Sequence, residues 1–137
     1  IGGCVRGRTA VAIGPMADAM LHSINVGKAF LSVAGITERG YFNSNMMLVE
    51  SEKAMLESTD QAIVVADSSK FGKVSLSRLC GLHEVHTVVT DSNLESKWKE
   101  HLELAGAELV LATTSTCAPR SEVKTIHRKQ DSASSST

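Results

Sequence analysis

The chain has 137 residues, a size that suits one domain with one hydrophobic core. Its formal net charge of -1 comes from acidic and basic residues mixed throughout, so no charged patch predicts DNA binding by this chain itself. Apolar residues make up 42% of the chain but aromatic residues only 4%, which favours a helix-covered sheet packed with Val, Ile, Leu, Met and Ala.

The three cysteines, Cys4, Cys80 and Cys117, are widely separated and form no Cys-x-x-Cys pair. This spacing argues against a disulfide framework or a structural zinc site and favours a reducing, cytoplasmic setting. No run approaches the roughly 18 apolar residues of a membrane span, and no basic start followed by an apolar run indicates a signal peptide. Because Ile1 is not an initiator methionine and Gly2-Gly3 has the character of a turn, we expect sequence upstream of this chain.

The first predicted elements are a helix and a strand. Pro15 suits the first turn of a helix, where its missing N–H costs nothing. Apolar residues at helical spacing continue to Ile24, and Asn25 and Gly27 end the predicted helix. The nearly continuous apolar run from Ala29 to Ala34 predicts a strand that is buried on both faces.

A polar connection from Gly35 to Asn45 is predicted next, and it leads into a second helix. Ser44 or Asn45 is the expected cap of that helix. Its predicted core face carries Met47, Leu48, Ser51, Ala54 and Met55. The run from Gln61 to Ala66, rich in β-branched residues, then predicts the clearest strand, and a polar turn from Asp67 to Gly72 ends it.

A strand, a helix and a strand are predicted in the second half of the chain. The run from Val85 to Thr90 predicts the first of these strands. Asp91 to Asn93 are expected to cap a helix that carries Trp98 on its apolar face, and Gly106 is expected to close it. The run from Ala107 to Ala112 predicts the last strand.

Strands that alternate with helices predict an α/β fold, with a mostly parallel sheet flanked by helices. Ligands bind such sheets beyond the carboxyl ends of the strands, so the loops at Gly35, at 67–72 and at Asp91 are expected to share one rim. The polar end of the chain buries too little apolar surface to order itself. We therefore expect one domain over residues 1–123 and a disordered tail over residues 124–137.

The strongest chemical signal is the loop Asp67-Ser68-Ser69-Lys70, which follows the clearest predicted strand. Lys70 can neutralise a phosphate, the two serine hydroxyls and the loop N–H groups can donate to it, and Asp67 can accept from sugar hydroxyls. Such a loop suits a phosphorylated sugar or polyol. The alternative is an ordinary polar turn whose Asp and Ser side chains bond to their own backbone.

The run VVADSSKFG, from Val64 to Gly72, resembles the signature of the effector domain of DeoR-type (DeoR/GlpR) bacterial transcription regulators. The resemblance covers the chain from Gly2 to about Ala112. At one position this chain departs from the family, which generally has Asp before Lys-Ala-Phe where this chain has Gly27. Further pieces occur in the family's order: Gly2-Gly3, Lys28-Ala29-Phe30, Gly35-Ile36, Gly40, and Glu50 with Lys53-Ala54-Met55.

The resemblance implies a Rossmann-like fold related to those of ribose phosphate isomerase and glucosamine-phosphate deaminase, here as a truncated domain that senses a sugar phosphate without any cofactor. It implies that Gly35 and the loop of Lys70 line the effector pocket, together with Glu50, for which an exposed ion pair with Lys53 is the alternative. Family members are usually homo-oligomeric repressors that bind DNA through an amino-terminal winged helix-turn-helix. We expect this chain to hold part of the pocket and to reach DNA only through that other domain.

A sugar-phosphate isomerase or deaminase on the same fold is the main alternative function. Such enzymes need a carboxylate or a His near the substrate carbon to move a proton. The chain has no acid between Ala29 and Glu38, so we expect no catalytic residue and no turnover. His83 and His86 are three apart but have no third ligand nearby, and we expect no metal site. An interaction module with a vestigial pocket is the third possibility.

Overall fold

A computed structural model describes residues 2–6 and 10–113. The predicted tail, residues 124–137, and the predicted domain limit at residue 123 lie outside the described residues. None of the described helices is long and apolar enough to cross a membrane. The described elements are, in chain order, β1 (Cys4–Arg6), β2 (Val11–Ile13), α1 (Pro15–His22), β3 (Val26–Leu31), β4 (Gly35–Thr37), β5 (Gly40–Asn43), α2 (Met46–Glu57), β6 (Thr59–Val65), β7 (Ser77–Cys80), β8 (Thr87–Asp91), α3 (Ser96–Leu104) and β9 (Glu108–Ala112), with short 3₁₀ turns at Ser68–Lys70 and Leu82–Glu84.

Four strands form a parallel sheet in the order β3, β6, β8 and β9. Leu31 of β3, Val64 of β6 and Val88 of β8 lie level with one another in this sheet. α2 lies in the connection from β3 to β6, and α3 connects β8 to β9. This arrangement confirms the predicted α/β fold, a parallel sheet flanked by helices.

A second, antiparallel sheet contains β4, β5 and β7. β4 and β5 form a tight hairpin in which Gly40 has a φ of 118°, a conformation that favours glycine. The predicted polar connection over residues 35–45 is therefore wrong. Its strands have only three and four residues, too short for a clear alternation of apolar and polar side chains. The third strand of the sheet, β7, pairs with β5 and lies far downstream in the sequence.

The starts of the first two helices follow the sequence signals. Pro15 occupies the first turn of α1, as predicted. The side chain of Asn45 caps α2, because its Oδ1 accepts the N–H groups of Met47 at 3.0 Å and Leu48 at 3.3 Å. Of the two expected caps, the structure therefore uses Asn45.

The third helix begins later than predicted. α3 starts at Ser96, and the segment from Asp91 to Asn93 does not cap it. The Asp91 carboxylate instead accepts the N–H of Asn93 and the N–H of Ser68 in the neighbouring loop. At the other end of the helix, Gly106 has a φ of 82° and follows the last turn, as predicted for a helix-terminating glycine.

The two faces of the parallel sheet differ in the described residues. The strands are added in one direction, and right-handed crossovers then place their connections on one face, where Leu31, Val64 and Val88 are buried. On the other face Phe30 is 64% exposed and Val65 47% exposed. The prediction that the first strand is buried on both faces is therefore wrong for this part of the chain. An apolar run shows that both faces are apolar, not that both are covered.

Candidate functional site

The loops that follow β3, β6 and β8 form the carboxyl edge of the parallel sheet, the place predicted for the site. Two of these loops are joined directly, because the N–H of Ser68 donates to Asp91 Oδ2 at 2.7 Å. Asp91 Oδ1 also accepts the N–H of Asn93, at 2.9 Å. These backbone hydrogen bonds hold the pKa of the Asp91 carboxyl below its usual value. Asp91 therefore fixes the loop after β6 against the loop after β8.

Asp67 begins the 3₁₀ turn of the predicted binding loop. Its Oδ1 accepts the N–H of Ser69 at 2.9 Å, and its backbone oxygen accepts the N–H of Lys70 at 3.0 Å. Hydrogen bonds from Ser69 hold the pKa of the exposed Asp67 carboxyl below its usual value. These local bonds agree with the polar-turn alternative, but an ionised carboxylate has further lone pairs for a ligand hydroxyl.

Lys70 ends this 3₁₀ turn and is half-buried. The residue after it, Phe71, is buried and packs on Trp98 with ring centroids 5.6 Å apart. The turn is thus held by β6 on one side and by Phe71 on the other. The Lys70 ammonium forms no salt bridge with a described residue. An anionic ligand can therefore pair with it without displacing a carboxylate of this part of the chain.

Gly35 lies beside the segment that follows Lys70. The N–H of Gly72 donates to the backbone oxygen of Ile36 at 2.8 Å. A Cβ atom on Gly35 would lie 2.2 Å from the carbonyl oxygen of Lys73, much closer than atoms can approach. The absence of a side chain at Gly35 therefore allows β4 to pack against the backbone of the predicted loop.

Glu50 lies on the exposed side of α2. Its Oε1 accepts a hydrogen bond from Lys53 Nζ at 3.0 Å, and its side chain is 64% exposed. This is the ion pair expected of two helical residues three apart. The role of Glu50 in the pocket stays a prediction. In the structure its carboxylate pairs with Lys53.

A residue that sequence reasoning missed, Glu52, is buried on α2 and only 5% exposed. It lies three residues after Val49 and three before Met55, so it falls within the apolar stripe of the helix. An acid in such a stripe is unusual and was the available signal. Burial raises the pKa of the Glu52 carboxyl to about 7, against a smaller lowering by its hydrogen bond to Asn43.

His86, one of the two histidines considered as metal ligands, has a structural role. Its Nδ1 accepts the N–H of Ala62 at 3.1 Å, which joins the segment before β8 to β6. In the described part of the chain, no group of three His, Cys, Asp or Glu side chains is placed to hold a metal ion. Glu38, the first acid after β3, lies in the turn between β4 and β5, with Oε1 3.5 Å from His101 Nε2.

Comparison with known proteins agrees with the fold and the motif order. The family model of the DeoR C-terminal sensor domain matches residues 1–92. An uncharacterized HTH-type transcriptional regulator of Bacillus subtilis, YulB, is 35% identical over 103 residues, which are 74% of this chain and 40% of that protein. The HTH-type transcriptional regulator GlpR of Haloferax volcanii is 30% identical over 110 residues, 80% of this chain and 43% of that protein.

A third relative is the lactose phosphotransferase system repressor of Staphylococcus epidermidis. It is 31% identical over 100 residues, which are 72% of this chain and 40% of that protein. The chain thus spans about two fifths of the length of the relatives that it matches.

Proposed function

This chain belongs to the family of DeoR C-terminal sensor domains, and on that premise we propose that it senses a phosphorylated sugar or polyol for a transcription regulator. The regulator acts in the cytoplasm as a homo-oligomer and binds DNA through a winged helix-turn-helix outside this chain. The name of the lactose phosphotransferase system repressor supports the choice of a sugar-linked effector. The relatives are transcription regulators, which favours sensing over turnover.

The observation that carries this proposal is the position of Lys70. It follows strand β6, whose central residues are buried, at the carboxyl edge. Its ammonium forms no salt bridge with a described residue, although its charge helps to lower the pKa of the nearby Asp67 carboxyl. A phosphate placed there gains a charge-assisted hydrogen bond from Lys70. Ser68 and Ser69 add hydroxyl donors in the same turn.

Asp67 and Gly35 complete the proposed site. The Asp67 carboxylate is exposed and stays ionised at neutral pH, since hydrogen bonds from Ser69 lower its pKa, so it can accept hydrogen bonds from sugar hydroxyls. Because Gly35 has no side chain, the backbone of Lys73 can pack against it at the carboxyl edge of the sheet. In this arrangement the cation binds the phosphate, the anion binds the polyol, and neither performs a chemical step.

The test replaces Lys70 by Met, which keeps much of the side chain's packing and removes its charge. A thermal-shift screen of the complete regulator against phosphorylated sugars identifies the ligand, and calorimetry then compares wild type with Lys70→Met. The lost bond to a charged group is worth roughly 1.5 to 3 kcal/mol, so the affinity should fall roughly tenfold to a hundredfold.

The matched control is Lys73→Met, which removes the same charge from an exposed residue three positions away. We expect Lys73→Met to bind the sugar phosphate as wild type does. Equal affinities for wild type and Lys70→Met would remove Lys70 from the site. An equal loss in both variants would assign the effect to net charge rather than to a specific contact.

A further inference from the structure

A buried polar cluster lies beneath the loop that follows β3, and the effector contacts proposed above do not use it. Asn43 at the end of β5 and Glu52 on α2 are 7% and 5% exposed. Asn43 Nδ2 lies 3.0 Å from Glu52 Oε1, 3.1 Å from Glu52 Oε2 and 3.1 Å from the backbone oxygen of Ser32. Because Ser32 directly follows β3, the cluster links α2 to the carboxyl edge.

The orientation of the Asn43 amide is set by its neighbours. Its Oδ1 accepts the N–H of Ser44 at 3.1 Å, so its NH₂ group faces Glu52 and Ser32. An NH₂ group has two hydrogens, and here it has three acceptor oxygens. With one hydrogen on the Ser32 oxygen, a single hydrogen remains for both oxygens of the Glu52 carboxyl.

Among the residues that the structure describes, none supplies a countercharge to Glu52. None of the salt bridges among the described residues includes Glu52. The titratable group that interacts with it is the Cys80 thiol on β7, whose pKa burial raises to about 12, so that the thiol stays neutral. Arg78 and Glu84 act on Cys80 with opposite signs. A buried carboxylate with one donor and no cation is poorly stabilised, whereas the protonated acid fits this environment.

We propose that Glu52 is a positioning residue that, through Asn43, holds the loop over residues 32–34 in place at the carboxyl edge. The far end of that loop has its own tether, because the N–H of Ala34 donates to the backbone oxygen of Phe42 at 2.9 Å. The near end depends on the bond from Asn43 to Ser32. The effect on the loop stands by itself, and only its consequence for ligand binding rests on the proposed function.

Ionisation of Glu52 weakens this hold. A carboxylate attracts both hydrogens of the Asn43 NH₂ group, because hydrogen bonds to charged acceptors are the stronger ones. The Ser32 oxygen then loses its partner, and water must reach the carboxylate to stabilise its charge. Both changes favour opening of the loop, so the hold on Ser32 should weaken as the pH rises through the pKa of Glu52, about 7.

Amide hydrogen exchange of Ala34, after correction for its intrinsic rate, measures opening of the whole loop, in which the Ala34 N–H leaves the Phe42 oxygen. Release of the near end at Ser32 makes this opening easier. With a carboxyl pKa of about 7 in the closed loop and 4.5 in the open one, protection should fall roughly tenfold between about pH 6 and pH 8. A low concentration of urea distinguishes local opening, which is insensitive to it, from global unfolding.

Glu52→Gln removes the ionisation and keeps the shape of the side chain. We expect its Ala34 protection to be independent of pH over this range, while Glu100→Gln, at an exposed position on α3, follows wild type. A wild-type profile without pH dependence, or the same slope in Glu52→Gln, would overturn the proposal. If Glu52→Gln does not fold, the pH dependence of Ala34 protection in wild type still tests the proposal.

Binding gives the second measurement. The affinities of wild type and Glu52→Gln in the complete regulator are compared at pH 6 and pH 8 with ribose 5-phosphate, fructose 6-phosphate and glycerol 3-phosphate. Ionisation of the phosphate affects both proteins equally, so it does not change the ratio of their affinities. Compared with pH 6, Glu52→Gln should bind more tightly relative to wild type at pH 8. If none of the three binds wild type, the sugar-phosphate function is contradicted, while hydrogen exchange still decides the role of Glu52. If one binds and the ratio is constant, the positioning role is contradicted instead.

Discussion

Gly35 offers a sharp test of why the carboxyl edge has its shape. Gly35→Ala places a Cβ atom 2.2 Å from the carbonyl oxygen and 2.8 Å from the carbonyl carbon of Lys73, where ordinary contacts are about 3.5 to 4 Å. The obstacle is backbone, and it cannot rotate away. It is also held in place, because the N–H of Gly72 bonds to the Ile36 oxygen at 2.8 Å and Phe71 forms a β-bridge with Ile36.

The expected cost follows from this crowding. Overpacking at a well-packed position costs roughly 1 to 3 kcal/mol, and here the segment must move by more than an ångström or lose its bonds to Ile36. Gly27→Ala is the control, since its Cβ meets no atom within 4 Å. A compatible Gly→Ala change stabilises by roughly 0.4 to 1 kcal/mol through the unfolded state. The two variants should therefore differ by roughly 1.5 to 4 kcal/mol in their free energies of unfolding.

Urea unfolding of this chain followed by circular dichroism measures that difference, provided that the m-values of the two variants agree. We expect Gly35→Ala to unfold at lower urea than wild type and Gly27→Ala at equal or higher urea. If the two variants unfold together, the close approach of Lys73 is not what requires glycine at position 35. A direct role in ligand binding would then be the remaining reason for Gly35.

Two further predictions concern the sheet and the chemistry. Leu31→Ala should cost roughly 2 to 5 kcal/mol, because Leu31 is buried, whereas Phe30→Ala on the opposite face should cost less than about 1 kcal/mol, because Phe30 is 64% exposed. Urea unfolding separates these neighbours, and equal costs would show that the exposed face is covered in solution. The protein should not isomerise ribose 5-phosphate above the uncatalysed rate in a coupled assay. Turnover that Glu38→Gln abolishes would reverse this conclusion.

Three strands of the parallel sheet were predictable because they are apolar runs of strand length. The fourth, β3, begins and ends three residues before the predicted run from Ala29 to Ala34, because its first half contains Gly27 and the exposed Lys28 and gives no apolar signal. β6 and β9 lie within about one or two residues of the predicted runs, and β8 begins two residues later than predicted. The start of α3 was not predictable in the same way. Asp91 has the residue type of a helix cap, but its carboxylate bonds to Ser68, a residue far away in sequence. The hydrogen bond to Ser68, a tertiary contact, therefore prevails over the helix cap that the local sequence predicted.

The antiparallel sheet could not be predicted from the sequence, for a related reason. β4 and β5 together occupy seven residues, and four of them are Gly, Thr or Asn, types that are common in loops. Their stability comes from pairing with each other and with β7, whose position in space no local pattern predicts. The polar, glycine-containing composition of this segment therefore predicted a connection where the protein forms a small sheet.

The position of the candidate site was predictable where its residues are consecutive in sequence and not where residues meet through folding. The loop from Asp67 to Lys70 follows a strand, and a strand's end defines the carboxyl edge. Glu52 is different, because its partner Asn43 lies on another element. The resemblance pointed to Glu50 on the same helix. Two residues on a helix are separated by about 200°, so Glu50 and Glu52 face opposite directions, one toward solvent and one toward the core.

The placement of the acids favours the proposed sensing function over catalysis. A base must reach a substrate carbon to move a proton. Glu38, in the turn between β4 and β5, is 71% exposed and lies next to His101, while Glu52 is buried beneath the Asn43 amide. Asp91 already accepts two backbone N–H groups, and its lowered pKa makes it a weak base. Asp67 also lies at the carboxyl edge, but hydrogen bonds from Ser69 lower its pKa and make it a weak base too. The described carboxylates therefore agree with the proposed function, in which Lys70 binds a phosphate and no carboxylate moves a proton.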